Sequence, residues 1–255
     1  MKQSHLKILP PIIAHRGASA IAPENTLAAF TKAKALGLTW VEFDVMLAES
    51  GDVIVLHDEE LNRTTNGTGK VISRPYRYIK TLDAGSWFNP IYHEEKVPLL
   101  KDVLELLKAL KLSANIEIKS LPGYEELLSK HVMTLIESYK IPLFISSFSY
   151  TVLKLIHDEN PSMPLAFLMD QWDSDWEKYC HDIKAVAVNV NHEILDHQKV
   201  KKIKHTKRLL LAYTIDDPLR AKELFSYGVD AVFSNCGQDF LNKLAVSPVN
   251  DDVRI

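Results

Sequence analysis

Nine short runs rich in aliphatic and β-branched residues recur along this chain, at 12–15, 40–45, 53–57, 114–119, 143–148, 164–169, 185–190, 209–215 and 231–235. Helical patterns fall between several of them, and that alternation is the signature of a parallel sheet covered by crossover helices. Asn25 or Thr26 caps a stripe of Leu27, Phe30, Ala33 and Leu36 that Gly37 stops. Pro98 opens a helical run at 99–110, and 122–139, 150–158 and 218–227 show similar apolar spacing. Nine strands are one too many for an eight-stranded barrel. The runs 41–47 and 53–57 are separated only by Ala48-Glu49-Ser50-Gly51-Asp52, too short for a helical crossover but sufficient for an antiparallel hairpin. One member of this pair is therefore a hairpin partner. The remaining order predicts a (β/α)8 barrel, with a doubly wound open sheet as the alternative, because periodicity alone does not close a sheet.

The chain has 255 residues, 46% hydrophobic and 25% charged, which suits one barrel domain over 1–255. Residues 58–97, rich in Thr, Asn, Gly, Tyr and Trp, carry no clean helical stripe and are read as an insertion. Trp87, Phe88 and Tyr92 are expected to form a small core within it. Thirty Lys and Arg against 33 Asp and Glu give a net charge of -3, with no global basic field for nucleic acid. The two cysteines, Cys180 and Cys236, exclude a disulfide framework and a cysteine-based zinc site. No apolar run reaches the roughly 18 residues of a membrane span. The stretch Ile8-Leu9-Pro10-Pro11-Ile12-Ile13 is short for a secretory segment, so a cytoplasmic protein without stable membrane insertion is expected. Nothing in the sequence points to an oligomeric state.

Ionisable residues interrupt two of the strands. In Val41-Glu42-Phe43-Asp44-Val45 the period of two sends Glu42 and Asp44 to one face, with the carboxylates roughly 6.6 Å apart along the strand. Asn115-Ile116-Glu117-Ile118-Lys119 repeats the arrangement, with Asn115, Glu117 and Lys119 on one face. In a barrel the polar face points into the lumen, where three carboxylates would repel and lose hydration. A bound cation compensates for both, and all-oxygen ligation favours Mg²⁺ or Ca²⁺ over zinc. An amphipathic edge strand with its carboxylates in water is the alternative for Glu42 and Asp44 alone. The same inversion at Glu117 and Lys119 favours the site.

Two histidines end strands. Ile12-Ile13-Ala14-His15-Arg16-Gly17 runs from an apolar strand into a glycine turn, and Val53-Ile54-Val55-Leu56-His57-Asp58 ends similarly. If 41–47 and 53–57 form a hairpin around Ser50-Gly51, Asp44 lies approximately opposite His57. Imidazole, with an unperturbed pKa of about 6.5, suits proton exchange at neutral pH. Arg16 adds a rigid donor fork suited to phosphate or carboxylate. The other histidines read as surface or ordinary core residues.

These residues in this order resemble the glycerophosphodiester phosphodiesterase family. The matching text is His15-Arg16-Gly17, Pro23-Glu24-Asn25-Thr26, Glu42-Phe43-Asp44-Val45, His57-Asp58 with Leu61-Asn62-Arg63-Thr64-Thr65-Asn66-Gly67, and Asn115-Ile116-Glu117-Ile118-Lys119. The resemblance implies a TIM-barrel phosphodiesterase with a segment inserted after the second histidine. It implies that Glu42, Asp44 and Glu117 hold one divalent cation, Mg²⁺ or Ca²⁺. By the same carry-over His15 and His57 are the acid/base pair, in either assignment, and Arg16 and Lys119 contact the phosphate. The implied reaction is hydrolysis of a small glycerophosphodiester to glycerol 3-phosphate and an alcohol. A lysophospholipase D-type enzyme is the alternative, with Trp87, Phe88 and Tyr92 as a surface for acyl groups. A catalytically silent phosphate-binding barrel is a weaker one, since every chemical position is filled by a competent residue. The C-terminal third departs from the pattern. A usual Trp-Thr becomes Tyr213-Thr214, which keeps an aromatic wall against the substrate, and a usual Thr-Asp becomes Ser234-Asn235, which loses a negative charge. Ser146, Ser147 and Phe148 match a family strand end and are expected to line the mouth, with core packing an equal reading of Phe148.

Overall fold

A computed structural model describes residues 9–237. Among them the strands are β1 (Ile12–His15), β2 (Trp40–Leu47), β3 (Val53–Val55), β4 (Ser113–Ile118), β5 (Leu143–Ser147), β6 (Leu165–Met169), β7 (Ala187–Asn191), β8 (Leu209–Tyr213) and β9 (Ala231–Ser234). β1 pairs in parallel with both β2 and β9, which closes the ring and excludes the open sheet. From β2 the ring runs through β4, β5, β6, β7 and β8 to β9, every pair parallel. The chain is thus a (β/α)8 barrel. β3 stands outside the ring, antiparallel to β2 as the short connection requires, with one isolated antiparallel bridge from Ile54 to Leu99. The hairpin register pairs Val45 with Val55, and the Leu56 N–H donates to the Asp44 carbonyl at 3.1 Å. Asp44 therefore faces Leu56, one residue short of His57.

The helices are α1 (Leu27–Ala35), α2 (Tyr76–Ile79), α3 (Leu100–Leu110), α4 (Glu125–Glu137), α5 (Tyr150–Glu159), α6 (Trp176–Asp182), α7 (His197–His205) and α8 (Pro218–Tyr227). Thr26, and not Asn25, caps α1 by accepting the Ala29 N–H, and Asp217 caps α8, which opens on Pro218. α6 and α7 have stripes too thin to read in the sequence: only Trp176 and Cys180 are buried in the first, Val200 and Ile203 in the second. None of the helices among the described residues is long and apolar enough to cross a membrane.

Strand alternation divides the core in two. Val41, Phe43 and Val45 of β2 with Ile116 and Ile118 of β4 face outward and pack against helices, Phe30 of α1 meeting Phe43 edge-on at 5.5 Å. Ile13, Trp40, Phe144, Leu211 and Phe233 fill the lumen. Residues 58–97 carry an aliphatic cluster of their own, in which Leu61, Val71, Ile79, Leu82 and Val97 pack on Met46, Ile54 and Leu56 of the hairpin. The three aromatics expected to fill that cluster lie outside it. Trp87 meets Phe88 and Phe88 meets Tyr92 edge-on, and Trp87 is 41% exposed. Aliphatic residues on the hairpin supply the apolar area instead.

Candidate active site

Along six of the eight inward rows, the lumen changes from apolar to polar toward the C-terminal strand ends. Ile13 gives way to His15, Trp40 to Glu42 and Asp44, Phe144 to Ser146, Ala187 to Asn189, Leu211 to Tyr213, and Phe233 to Asn235. Parallel register then sets these residues side by side: His15 pairs with Glu42, Glu42 with Asn115, Asp44 with Glu117, and Glu117 with Ser146. Chemistry gathers at this end because all eight strands of the ring point the same way.

Glu42, Asp44 and Glu117 each present a carboxylate oxygen, all within 4.8 Å of one another. Burial pushes Glu42 well up, and the neighbouring charges of Asp44 and Glu117 push it further. Burial and Asp44 raise Glu117 to about 7 against the pull of Lys119. Asp44 goes the other way: burial opposes its ionisation, but Lys119 and Arg16 outweigh burial and hold it far below the usual range. Glu42 Oε1 is buried with no hydrogen-bond partner among the described residues, as are Asn115 Oδ1 and Asn189 Oδ1. Crowded, partly unsatisfied carboxylates of this kind fit a hard cation that would neutralise them and fill Oε1 of Glu42.

The two predicted phosphate ligands brace this cluster. Lys119 Nζ lies 2.8 Å from Asp44 Oδ1 and also contacts Glu117. Arg16 takes the left-handed conformation (φ 55°) and turns its N–H onto Glu42 Oε2 at 3.0 Å. Its guanidinium pairs with Glu24 at 2.8 Å and lies 3.5 Å from Asp44. Three residues to which sequence reasoning gave no part in the site complete the frame. Asn25 donates from Nδ2 to Asp44 Oδ2 at 2.9 Å, and Glu24 joins Arg16 to Arg63. Arg63 forks onto both Glu24 and Asp58. The signal available for them was the run Pro23-Glu24-Asn25-Thr26 and the Asn62-Arg63-Thr64 text, which carried the resemblance but no role.

The histidines line two different cavities beside the acidic cluster. His15 lines a narrow floor pocket of about 30 Å³ with Glu42, Asn115, Glu117, Asn189 and Tyr213. His57 lines a mouth cavity of about 460 Å³ with Asp58, Glu59, Lys119 and Phe148. Burial and the Arg16 charge depress His15 to about 4, so it rests as neutral imidazole. Burial lowers His57, and the Lys119 and Arg16 charges lower it further; Asp44 and Asp58 oppose them without reversing the shift. His57 Nδ1 lies 2.6 Å from Asp58 Oδ1, and hydrogen bonds from Arg63 keep Asp58 ionised. His15 Nδ1 lies instead 2.8 Å from the neutral Asn235 Oδ1. The Tyr213 hydroxyl donates to the Met169 carbonyl at 2.9 Å, which leaves its ring as the wall, edge-on to Phe148.

All eight residues singled out in the sequence thus meet at one end of the barrel. The sequence profile of the glycerophosphoryl diester phosphodiesterase family matches residues 15–236, from the first of these histidines to just past Asn235. The chain belongs to this family. A glycerophosphodiester phosphodiesterase of Bacillus subtilis (strain 168) is 35% identical over 242 residues, covering 88% of this chain and 82% of the relative. Another, from Caldanaerobacter subterraneus subsp. tengcongensis, is 32% identical over 240 residues, covering 91% and 96%. The solved structure of an Oleispira antarctica phosphodiesterase in complex with the product sn-glycerol-3-phosphate superposes with a TM-score of 0.92 at 33% identity, covering 94% of this chain and 99% of that one. Membership of the glycerophosphodiester phosphodiesterases makes this chain an enzyme, a phosphoric diester hydrolase.

Proposed function

We propose that the chain hydrolyses small glycerophosphodiesters to glycerol 3-phosphate and an alcohol, with His15 as the general base and His57 as the general acid. The observation that carries this reading is the pair of histidines flanking one acidic cluster, each with a different partner. A resting neutral imidazole on the pocket floor suits proton abstraction. An imidazole backed by the Asp58 carboxylate suits a proton donor, because that anion favours the charged ring. The cavities suit these roles: His15 lines the narrow pocket and His57 the wider mouth cavity, so in this reading the glycerol end sits beside His15 and the alcohol departs past His57. Arg16 and Lys119 stabilise charge building on the phosphoryl oxygens from fixed positions. Tyr213 bounds the glycerol side. Within this reading the chain is one barrel domain with 58–97 inserted after His57.

Glu42, Asp44 and Glu117 would hold one Mg²⁺ or Ca²⁺. The ion's chemistry there is to polarise a phosphoryl oxygen and neutralise the carboxylates. The product held by the Oleispira antarctica relative supports glycerol 3-phosphate as the released phosphate. Release of glycerol 3-phosphate from glycerophosphocholine, glycerophosphoethanolamine and glycerophosphoglycerol, with Mg²⁺, Ca²⁺ or chelator, tests the proposal. Metal-dependent release is expected. His15→Ala and His57→Ala should each lower the rate by roughly 10²–10⁴-fold. Full activity in saturating chelator overturns the metal site, and an unchanged rate in either variant overturns that histidine's role.

A further inference from the structure

His15 is held from behind by two residues at neighbouring strand ends. Asn235, just past β9, presents Oδ1 to His15 Nδ1 at 2.8 Å, with the Ser19 hydroxyl also 2.8 Å from that oxygen. Asn235 Nδ2 donates to Asp216 Oδ2 at 2.7 Å. Asp216 Oδ1 accepts the Asn235 N–H at 2.8 Å and the Ser234 hydroxyl at 3.0 Å. A carboxylate has no proton to give, so Asp216 accepts only the NH₂ side of the amide and thereby fixes its flip. That leaves the amide oxygen facing His15. Neither lone pair of Oδ1 carries a proton, so the proton in this bond sits on His15 Nδ1. The bare ring nitrogen is then Nε2, on the opposite edge of the imidazole, 3.9 Å from Glu42 Oε2 and on the side of the floor pocket.

We propose that Asn235 and Asp216 are positioning residues that select the Nδ1-protonated tautomer of His15, so that His15 exchanges its proton with substrate at Nε2 alone. The inference rests on the reading of His15 as a proton-transferring group, and it adds the atom and the device that chooses it. Nδ1 donates to Asn235 whether or not Nε2 holds a proton, so the ring keeps its orientation through a turnover. Asp216 acts at one remove: without it the Asn235 amide is free to turn its NH₂ toward the ring, which selects the opposite tautomer and blocks Nε2. Asn235 is half-buried and Asp216 exposed; hydrogen-bond partners behind metal-ligating histidines set the tautomer in the same way, and their loss costs about 10–100-fold.

The test combines ring-nitrogen NMR of His15 in the ¹⁵N-histidine-labelled protein with turnover of glycerophosphocholine. In the unaltered protein, Nδ1 should give a protonated-type signal and Nε2 a bare one. Asn235→Leu should mix the tautomers and lower kcat by about 10–100-fold with little change in KM. Asp216→Ala should move both readouts in the same direction. The double exchange Asn235→Asp/Asp216→Asn keeps an acceptor facing Nδ1 and a donor behind it, so it should restore the tautomer and most of kcat. If the pair merely ties β8 to β9, the variants would lose thermal stability without a tautomer change, and the inference is overturned. A protonated Nε2 and bare Nδ1 in the unaltered protein overturns it without any variant. Full kcat in Asn235→Leu, with His15→Ala inactive, overturns it while leaving the role of His15 intact. An active His15→Ala instead removes the reading beneath it.

Discussion

Five carboxylates (Glu24, Glu42, Asp44, Asp58 and Glu117) meet three fixed cations (Arg16, Arg63 and Lys119) around the site, a formal excess of two negative charges. The protein relieves that excess by favouring the protonated forms of Glu42 and Glu117, while Asp44 stays ionised between Lys119 and Arg16. A divalent cation would remove the same excess, so it competes with protons for these oxygens. With Glu117 near 7 and Glu42 raised, binding from neutral solution must displace protons, and affinity should rise with pH from 6 to 8. Calorimetry of Mg²⁺ or Ca²⁺ binding in buffers of different ionisation enthalpy would read the released protons; affinity independent of pH across that range contradicts the ligand assignment. Asp58 allows a second prediction. Its charge favours the imidazolium of His57, so Asp58→Asn should lower the His57 pKa further. If His57 is the acid, activity is lost as pH rises through its pKa, and this alkaline limb should move to lower pH in the variant. An alkaline limb that stays in place would reassign the acid.

The turn after β1 shows how one short element supports several of these groups. Gly17 has φ +81°, and a Cβ placed there would lie 2.7 Å from the Ala29 Cβ of α1. The close approach seats the turn against α1, and the next residue, Ala18, donates to the Ala29 carbonyl at 3.0 Å. Arg16, just before, is left-handed at a cost of roughly 1–2 kcal/mol, offset by its N–H bond to Glu42. Gly17→Ala should therefore destabilise the protein by about 1–3 kcal/mol in urea unfolding. It should also weaken metal affinity, because the shift passes through Arg16 to Glu42; unchanged affinity in a destabilised variant would separate the turn from the site. At this scale the strands were the most legible elements. Period-two alternation fixed the inward parity of Glu42, Asp44, Glu117 and Lys119, and the short 48–52 connection marked β3 as the odd strand. Asn189, an isolated polar residue inside a strand, has no part in the site on sequence alone, and Asn235 stands out only for the lost negative charge, because a single asparagine has no local pattern that shows which way it faces. Only the closed ring reveals that both occupy inward rows, Asn189 1% exposed on the pocket floor. Asn25 stands with Thr26 as one of two candidate helix caps because local pattern cannot see its partner Asp44 across the fold.

At the scale of the whole molecule, the loops at the C-terminal strand ends form two different surfaces. The mouth cavity is lined by Met46, His57, Asp58, Glu59, Lys119 and Phe148 among others, a mixed surface with charge close to the proposed phosphate position. The apolar flank lies on the loop after β1 and on residues 58–97, where Ile21 is 44%, Trp87 41% and Ile91 75% exposed. The Tyr92 hydroxyl ties the two loops together by donating to the Ile21 carbonyl at 2.9 Å. Neither Trp87 nor Ile91 lines the mouth, so a long acyl chain anchored at the phosphate would have to leave the cavity before meeting them. Burying exposed apolar area is worth about 25 cal/mol per Å², which would draw a lysolipid onto this flank only if the chain spans the gap. Water-soluble diesters need no such reach. Glycerophosphocholine should accordingly be turned over with higher kcat/KM than lysophosphatidylcholine below its micellar concentration, and Trp87→Ser should leave both values within about twofold, as for a surface change away from the site. Lysolipid turnover that exceeds that of glycerophosphocholine and collapses in Trp87→Ser would make the flank an acyl-binding surface and change the substrate class.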